Sequence, residues 1–335
     1  MQRFALIGAG FIGSVHARSL AEHPDVDFRL VYDVDGARAE ALAAAHGARA
    51  ARSLAEAFDP ELVDAVFIAS STDTHAENLR RAADAGLAVL VEKPIDLDLA
   101  QAVETVAYVE RAGVPAMVDF NRRFDRDHAE LKRLVDVGAV GDVALVQLTS
   151  RGPALPPLDY LRVSGGQMRD QTVHFFDLAR WITGLEPLEV HVAGSALADP
   201  RVAEIGDVDT SAATLKLAGG ALVQIDSVRH TGYGYDERIE VLGSAGMAES
   251  GRMRAGGVTR FRGTEAVSDG LHAGWFERVR PTYAAALGAF VTALETGGPV
   301  PVGLRDGLRA QAIAEAATRS LSSGRSEPID GGVLA

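Results

Sequence analysis

Short apolar runs alternate with helix-like segments through the first 120 residues of this 335-residue chain. The first run is Phe4 to Ile7, and apolar residues at helical spacing follow it over 11–22. Later runs occupy 28–32, 65–69, 87–91 and 114–118, and helical segments lie at 37–46, 74–86 and 97–112. Strands that are apolar throughout and alternate with helices are typical of a parallel sheet covered on both faces. The sequence therefore predicts a doubly wound α/β domain over residues 1–120.

A different pattern begins after residue 120. Residues 208–263 alternate apolar and polar side chains in short runs, and the turn sequences Ala218-Gly219-Gly220 and Ser244-Ala245-Gly246 each separate two such runs as in a hairpin. Two Ala-rich helical stretches follow at 275–296 and 304–322. The prediction for residues 121–335 is an α+β domain for substrate binding and oligomerisation. Its large, mostly antiparallel open sheet would have one face covered by a second subunit.

Composition limits the partners that such a chain can have. With 47% hydrophobic and 24% charged residues it can bury a full core. Its formal charge of −13 disfavours nucleic acid and anionic membrane surfaces. The chain has no cysteine, no apolar run of membrane-spanning length and no basic, cleavable leader at its start. These features predict a protein of the reducing cytoplasm without disulfides or thiolate metal sites.

A glycine motif stands directly between the first strand and the first helix. Gly8, Gly10 and Gly13 form G-x-G-x-x-G, which permits a tight turn and lets a pyrophosphate approach the helix N-terminus. Asp33 ends the second strand at the distance where a carboxylate accepts hydrogen bonds from the adenosine ribose. A carboxylate there also repels a 2′-phosphate, which Arg38 on the next helix would partly offset. The motif predicts a Rossmann domain that binds NAD rather than NADP. The alternative is a structural glycine turn with Asp33 as a helix cap.

Glu92-Lys93-Pro94 follows the apolar run 87–91. In a doubly wound sheet the carboxyl ends of the strands face the ligand crevice, so Lys93 is expected to point at the cofactor. Pro94 restricts the Lys93 backbone and is a candidate for a cis bond. A solvated surface lysine is the alternative. Only three of the 33 basic residues are lysine, which points to a need for a titratable amine at Lys93, but codon usage explains the bias equally well.

Three polar residues interrupt an apolar helical stretch in the second half of the chain. Asp170, His174 and Asp177 are spaced four and three residues apart, which places them on one helical face. Buried polar groups need partners or a cavity. Asp170 as a helix cap beside a core histidine is one interpretation, and a metal site is another, although no further ligand is evident. We favour an acid/base site without a metal, in which a carboxylate orients the histidine.

Together these elements predict the oxidation of a secondary alcohol. Hydride would pass to the nicotinamide while His174 accepts the hydroxyl proton. Lys93 would stabilise the developing alkoxide or relay the proton, and Asp170 would hold the imidazole. This prediction requires Lys93 and His174 to converge on one carbinol.

The motifs resemble those of the Gfo/Idh/MocA oxidoreductases, and among these the inositol 2-dehydrogenases. The resemblance covers nearly the whole chain and rests on its glycine motif, Glu92-Lys93-Pro94, the stretch 120–125, Gly166 to Asp177 and Tyr233-Gly234-Tyr235-Asp236. It implies NAD-dependent oxidation of a cyclitol or pyranose by a homotetramer, with Lys93, Asp170 and His174 as the catalytic triad.

The same resemblance implies further contacts. The cofactor would be bound by Gly8, Gly10, Phe11, Ile12, Gly13, Asp33, Ser70, Thr72, His75, Glu92, Lys93 and Asn121. The substrate would meet Lys93, Arg122, Asp170, His174, Asp177 and one of Tyr233 or Tyr235.

Two departures from the family pattern bear on the substrate. Phe175 stands where an aspartate is frequent, and Ser150-Arg151-Gly152-Pro153 replaces a segment that often holds His and Asn. Both remove hydrogen-bonding capacity, by which a polyol site distinguishes epimers. Myo-inositol is the first expected substrate. Scyllo-inositol, chiro-inositol and an aldopyranose such as glucose are the alternatives, and the last of these would make the protein a sugar dehydrogenase. A dinucleotide-binding sensor without turnover is the non-enzyme alternative, which an intact triad disfavours.

Overall fold

The computed structural model describes residues 1–334 and divides them into two compact units. The first unit comprises Met1–Phe124 and Pro281–Arg309, and the second comprises Asp125–Arg280 and Ala310 onwards. The return of 281–309 to the first unit has no counterpart in the division predicted from the sequence. In the described part of the chain, no helix combines the length and apolarity needed to cross a bilayer.

The first unit is built on a six-stranded parallel sheet. Its strands are β1 (Gln2–Ile7), β2 (Val26–Tyr32), β3 (Arg49–Ala50), β4 (Ala65–Ile68), β5 (Ala88–Val91) and β6 (Ala116–Val118). Their spatial order is β3-β2-β1-β4-β5-β6, in which the direction of winding reverses between β1 and β4. β4 and β5 are buried at every position, as expected for strands covered on both faces. The predicted doubly wound fold is confirmed.

Helices connect these strands at the positions that local sequence signals favour. They are α1 (Phe11–Glu22), α2 (Gly36–Ala45), α3 (Leu54–Ala57), α4 (His75–Asp84) and α5 (Leu99–Ala112), with 3₁₀ turns at Thr72–Thr74 and Asn121–Phe124. Asp98 caps α5 by accepting from the Ala100 backbone N–H at 2.7 Å. Gly113 ends the same helix in the left-handed conformation, at φ 71°.

The second unit contains a seven-stranded sheet. Its strands are β7 (Val143–Arg151), β8 (Pro187–Ser195), β9 (Thr210–Leu217), β10 (Leu222–Val228), β11 (Asp236–Gly243), β12 (Gly246–Ser250) and β15 (Glu327–Pro328), and a separate hairpin pairs β13 (Thr259–Arg262) with β14 (Glu265–Ser268). The order is β12-β11-β7-β10-β9-β8-β15, and every pair except β7 with β10 is antiparallel. The mostly antiparallel open sheet and both predicted hairpins are confirmed.

The remaining helices complete the chain. They are α6 (Arg126–Asp136), α7 (Leu158–Val163), α8 (Val173–Thr183), α9 (Arg201–Glu204), α10 (Trp275–Thr296), α11 (Leu304–Ser323) and α12 (Gly331–Leu334), with a 3₁₀ turn at Ala218–Gly220. A π-helical segment, Met168–Thr172, runs directly into α8. Asp170 therefore lies in a wider turn than the α-helix predicted for it, and it does not cap that helix.

Candidate active site

The glycine turn between β1 and α1 is shaped by close backbone packing. Gly8 has φ 105°, and a side chain there would meet the Ala69 carbonyl oxygen at 2.5 Å. A Cβ on Gly13 would lie 2.1 Å from the Gly8 carbonyl oxygen. A Cβ on Gly10, in contrast, would meet none of the described residues within 4 Å. Gly10 also precedes the first turn of α1, where the described side chains provide no cap. The turn thus leaves room beside the N-terminus of α1 for an anion such as a pyrophosphate.

Asp33 follows the last residue of β2 and ties the turn together. One carboxylate oxygen accepts from the Ala9 backbone N–H at 2.7 Å, and the other accepts from the Asp35 backbone N–H at 2.8 Å. An Arg38 guanidinium nitrogen lies 3.1 Å from Asp33 and another lies 3.1 Å from Asp35. Arg38 thus forms ion pairs with both Asp33 and Asp35, which offsets the repulsion between the two carboxylates.

The loop after β4 is joined to the loop after β5 through His75. Its Nδ1 lies 2.8 Å from the Pro94 carbonyl oxygen, and its Nε2 lies 3.1 Å from the Ser70 carbonyl oxygen. Burial lowers the pKa of His75, whose side chain is only 1% exposed. Ser70 in turn shares a 2.6 Å hydrogen bond with the Thr74 hydroxyl, and Thr72 is half-buried in the same loop. These contacts fix the loops that carry four of the predicted cofactor residues.

Glu92, Lys93 and Pro94 lie at the carboxyl end of β5, as predicted. The peptide bond between Lys93 and Pro94 is cis. Lys93 is half-buried, and its backbone N–H donates to the Glu92 carboxylate at 3.2 Å. The other Glu92 oxygen lies 2.8 Å from His16 Nε2, a contact that the sequence analysis missed.

Asn121 and Arg122 occupy the turn after β6. The Asn121 amide donates to the Thr282 hydroxyl at 2.9 Å, and its carbonyl accepts from Arg122 at 2.8 Å. Arg122 also shares a hydrogen bond with Tyr283, whose pKa burial raises. The predicted cofactor residues of the first unit therefore follow β1, β2, β4, β5 and β6 at one edge of the sheet, where parallel strands of such folds bind ligands.

The second unit holds the acidic and imidazole groups of the predicted triad. The Asp170 carboxylate accepts from the Tyr160 hydroxyl at 2.8 Å and from Arg229 at 3.1 Å. Arg229 is 3% exposed at its side chain and also lies 3.7 Å from Asp207. His174 and Asp177 lie on α8 and are 9% and 0% exposed. Sequence analysis missed the Tyr160 and Arg229 contacts, because neither residue belongs to a motif near Asp170.

The two tyrosines that the sequence left as alternatives have different surroundings. Tyr235 is 7% exposed, and its hydroxyl donates to Glu237 at 2.5 Å. Tyr233 is 46% exposed, and its hydroxyl contacts Arg151 at 3.1 Å and Asp236 at 3.0 Å.

The residues that depart from the family pattern are also placed. Ser150 is 1% exposed and accepts from the Gln171 amide at 3.1 Å, whereas Arg151 forms an ion pair with Asp226 at 2.5 Å. Phe175 is packed in the core at 2% exposure. Ser150 and Arg151 lie on β7 and Phe175 lies on α8, so these departures belong to regular elements of the unit.

A glycine turn after β1, an acidic residue directly after β2 and a lysine just beyond β5 are typical of dinucleotide-dependent oxidoreductases of the doubly wound class. Comparison with known families makes this assignment specific. Residues 2–120 match the model described as "Oxidoreductase family, NAD-binding Rossmann fold", and residues 128–249 match the GFO/IDH/MocA C-terminal domain. The chain belongs to the Gfo/Idh/MocA oxidoreductase family, and it is an NAD-dependent oxidoreductase.

Individual relatives match between about three quarters and nearly all of the chain. An inositol 2-dehydrogenase of Rhizobium meliloti is 38% identical over 325 residues, which cover 96% of this chain and 98% of the relative. A scyllo-inositol 2-dehydrogenase (NAD(+)) of Bacillus subtilis is 32% identical over 77% of this chain and 76% of the relative. The crystal structure of a myo-inositol dehydrogenase from Corynebacterium glutamicum is 34% identical and superposes with a TM-score of 0.93, covering 98% of this chain and 99% of that one.

Proposed function

We propose that this protein oxidises a secondary hydroxyl of a cyclitol, myo-inositol first, in the manner of an inositol 2-dehydrogenase. The observation that carries the proposal is full-length similarity to such enzymes in a chain that keeps Lys93, Asp170 and His174. When bound, NAD supplies the hydride acceptor. The open position at Gly10, at the N-terminus of α1, fits its pyrophosphate.

The protein's own residues divide the proton chemistry. His174 accepts the hydroxyl proton, and Asp170, held by Tyr160 and Arg229, orients the imidazole and a neighbouring hydroxyl. Lys93 stabilises the alkoxide that develops at the reacting oxygen. Arg122, Asp177 and one of the two tyrosines bind the remaining substrate hydroxyls. The Tyr233 side chain is 46% exposed, whereas the Tyr235 hydroxyl already donates to Glu237.

A second candidate substrate class has support of its own. The relative named for scyllo-inositol matches about three quarters of this chain. The family resemblance also implies that Phe175 and Arg151 stand where groups able to bind a hydroxyl are frequent. Scyllo-inositol, chiro-inositol or an aldopyranose is therefore the alternative substrate. The cytoplasmic location predicted from the sequence stays a prediction.

We further propose a homotetramer that assembles through the sheet of the second unit. Met247, Leu242, Leu145 and Leu222 are paired in register on four neighbouring strands and so form one apolar row on a single face. Met247, Leu242 and Leu222 are 52%, 42% and 43% exposed. An exposed apolar row on a sheet is typical of a face that another subunit covers.

A panel of inositol stereoisomers and aldoses, assayed for NADH formation with wild type and His174→Ala, tests the function. We expect turnover of an inositol, and a fall in kcat of about 10²-fold or more in the variant at nearly constant NAD affinity. His191→Ala, at an exposed histidine on β8, is the matched control. Full turnover by His174→Ala would remove the base from the mechanism, and turnover of aldoses alone would assign the protein to the sugar dehydrogenases.

A further inference from the structure

Three ionisable side chains meet in the interior of the first unit. One ligand-type atom from each of His16, Glu92 and Asp119 lies within 4.8 Å of the others. The residues are 0%, 8% and 1% exposed. His16 Nε2 is 2.8 Å from a Glu92 oxygen and 3.7 Å from an Asp119 oxygen. The sequence analysis names only Glu92 of these three residues. His16 on α1 and Asp119 directly after β6 are new candidates.

The cluster holds two carboxyl groups but one favourable place for a negative charge. Within residues 1–334, neither Asp119 oxygen has a hydrogen-bond partner. Burial and the nearby Glu92 charge raise the pKa of Asp119 well above its usual range. Burial opposes ionisation of Glu92 too, but the His16 hydrogen bond and the positive charge of Lys93 outweigh it and lower the pKa of Glu92. The geometry therefore favours placing the negative charge on Glu92, which has a hydrogen-bond donor, rather than on Asp119, which has none among the described residues.

The charged member of the cluster is directly joined to Lys93. Glu92 precedes Lys93 in the chain, accepts its backbone N–H at 3.2 Å and is stabilised by its positive charge. A carboxylate in this position fixes where the lysine backbone leaves β5, and it places a negative charge close to the amine.

A metal ion explains the same geometry less well. Metal-bound histidines almost always donate their other ring N–H to a partner. His16 Nδ1 has no hydrogen-bond partner among the described residues, and the ring lies between Phe67, with centroids 3.8 Å apart, and Tyr283, with centroids 5.3 Å apart.

We propose that His16 and Asp119 are positioning residues for Lys93. By donating a hydrogen bond and by holding a proton, respectively, they keep a single negative charge on Glu92, and that carboxylate anchors Lys93 for catalysis. The inference rests on the proposed function, in which Lys93 contacts the substrate. The titratable and charged groups that face Glu92 or Asp119 are His16, His75, Lys93, Arg122 and Tyr283.

Acid titration followed by infrared difference spectroscopy tests the role of His16. Glu92 anchors Lys93 only as a carboxylate, and its protonation on acidification adds a carbonyl band that Glu92→Gln should lack. His16→Phe keeps the aromatic packing but removes the donor that lowers the pKa of Glu92. We expect the band to appear at a pH about one unit higher than in wild type. We also expect kcat to fall by about tenfold, because the carboxylate loses the hydrogen bond that orients it, with KM for NAD little changed.

His16→Gln is the matched control, because its side-chain amide offers an N–H near the position of Nε2. We expect it to return the titration of Glu92 close to that of wild type. A purely structural role for His16 would lower activity without moving this titration. An unmoved Glu92 band in folded His16→Phe would overturn the proposal, as would a stoichiometric transition metal in the purified protein.

Infrared difference spectroscopy tests the proton on Asp119 without substrate or turnover. At neutral pH, the carbonyl band of a protonated carboxyl group is expected in the wild-type protein and should be missing in Asp119→Asn. Asp25→Asn, at an exposed aspartate, should keep the band. The absence of this band from the wild-type spectrum would contradict the proposed protonated Asp119. If the band is present but Lys93→Ala retains full turnover, the proposed function fails while the cluster stands.

Discussion

At the scale of single residues, Asp33 combines structural and recognition roles. Its carboxylate accepts the Ala9 N–H inside the glycine turn and is held by Arg38 from α2. The sequence shows Asp33 at the end of a strand and Arg38 on the next helix, but not that the two side chains are paired. The pairing matters because the same arginine would face a 2′-phosphate if the carboxylate were absent.

We expect Asp33→Ser to shift coenzyme preference toward NADP. The variant loses charge-assisted hydrogen bonds to the ribose, of about 1.5–3 kcal/mol each, and removes the repulsion of a 2′-phosphate. The ratio of kcat/KM for NADP to that for NAD should rise by about tenfold or more. Steady-state kinetics with both coenzymes measure it. Adding Arg38→Ala to the variant should cancel the gain with NADP, and an unchanged ratio in Asp33→Ser would show that Asp33 does not select the coenzyme.

At the scale of elements, most of the regular structure could be predicted from periodicity. The helix predicted for 11–22 is Phe11–Glu22, and the hairpin around Ala218–Gly220 joins β9 to β10. Other features depend on distant contacts. The parallel pairing of β10 with β7 joins strands far apart in sequence, and the π-helical Met168–Thr172 has the same apolar pattern as an α-helix.

The first two elements also provide a matched pair of glycine variants. Gly13→Ala should lower the free energy of unfolding by about 2 kcal/mol or more, because its Cβ would lie 2.1 Å from the Gly8 carbonyl oxygen. Gly10→Ala should leave stability within about 0.5 kcal/mol of wild type, since φ of −77° suits alanine and the Cβ would meet no described atom within 4 Å.

Gly10→Ala should instead weaken NAD binding by about tenfold or more, because the added methyl group takes the space for the pyrophosphate. Urea unfolding without coenzyme and calorimetric titration with NAD separate the two effects. A destabilised Gly10→Ala, or one with wild-type affinity for NAD, would contradict this account of the turn.

At the scale of the whole molecule, the sequence located the candidate site but not its supports. Lys93 and the glycine motif were found because strand ends and turns have local signatures. His16, Asp119 and Arg229 were missed because their importance comes from burial beside groups distant in sequence, which no local pattern records. For the same reason, the return of 281–309 to the first unit could not be predicted.

The oligomeric state of the protein tests the apolar row of the second unit. If the apolar row of the second unit is a subunit interface, wild type should have four times the 35.3 kDa chain mass by light scattering. Leu222→Lys combined with Leu242→Lys places two charges in the row, and burying them unpaired would cost several kcal/mol, so the mass should fall to that of a dimer or monomer. Val137→Lys, at an exposed residue beyond α6, is the control and should keep the wild-type mass. A double variant that keeps the wild-type mass would place the interface on another surface, and a monomeric wild type would exclude the tetramer.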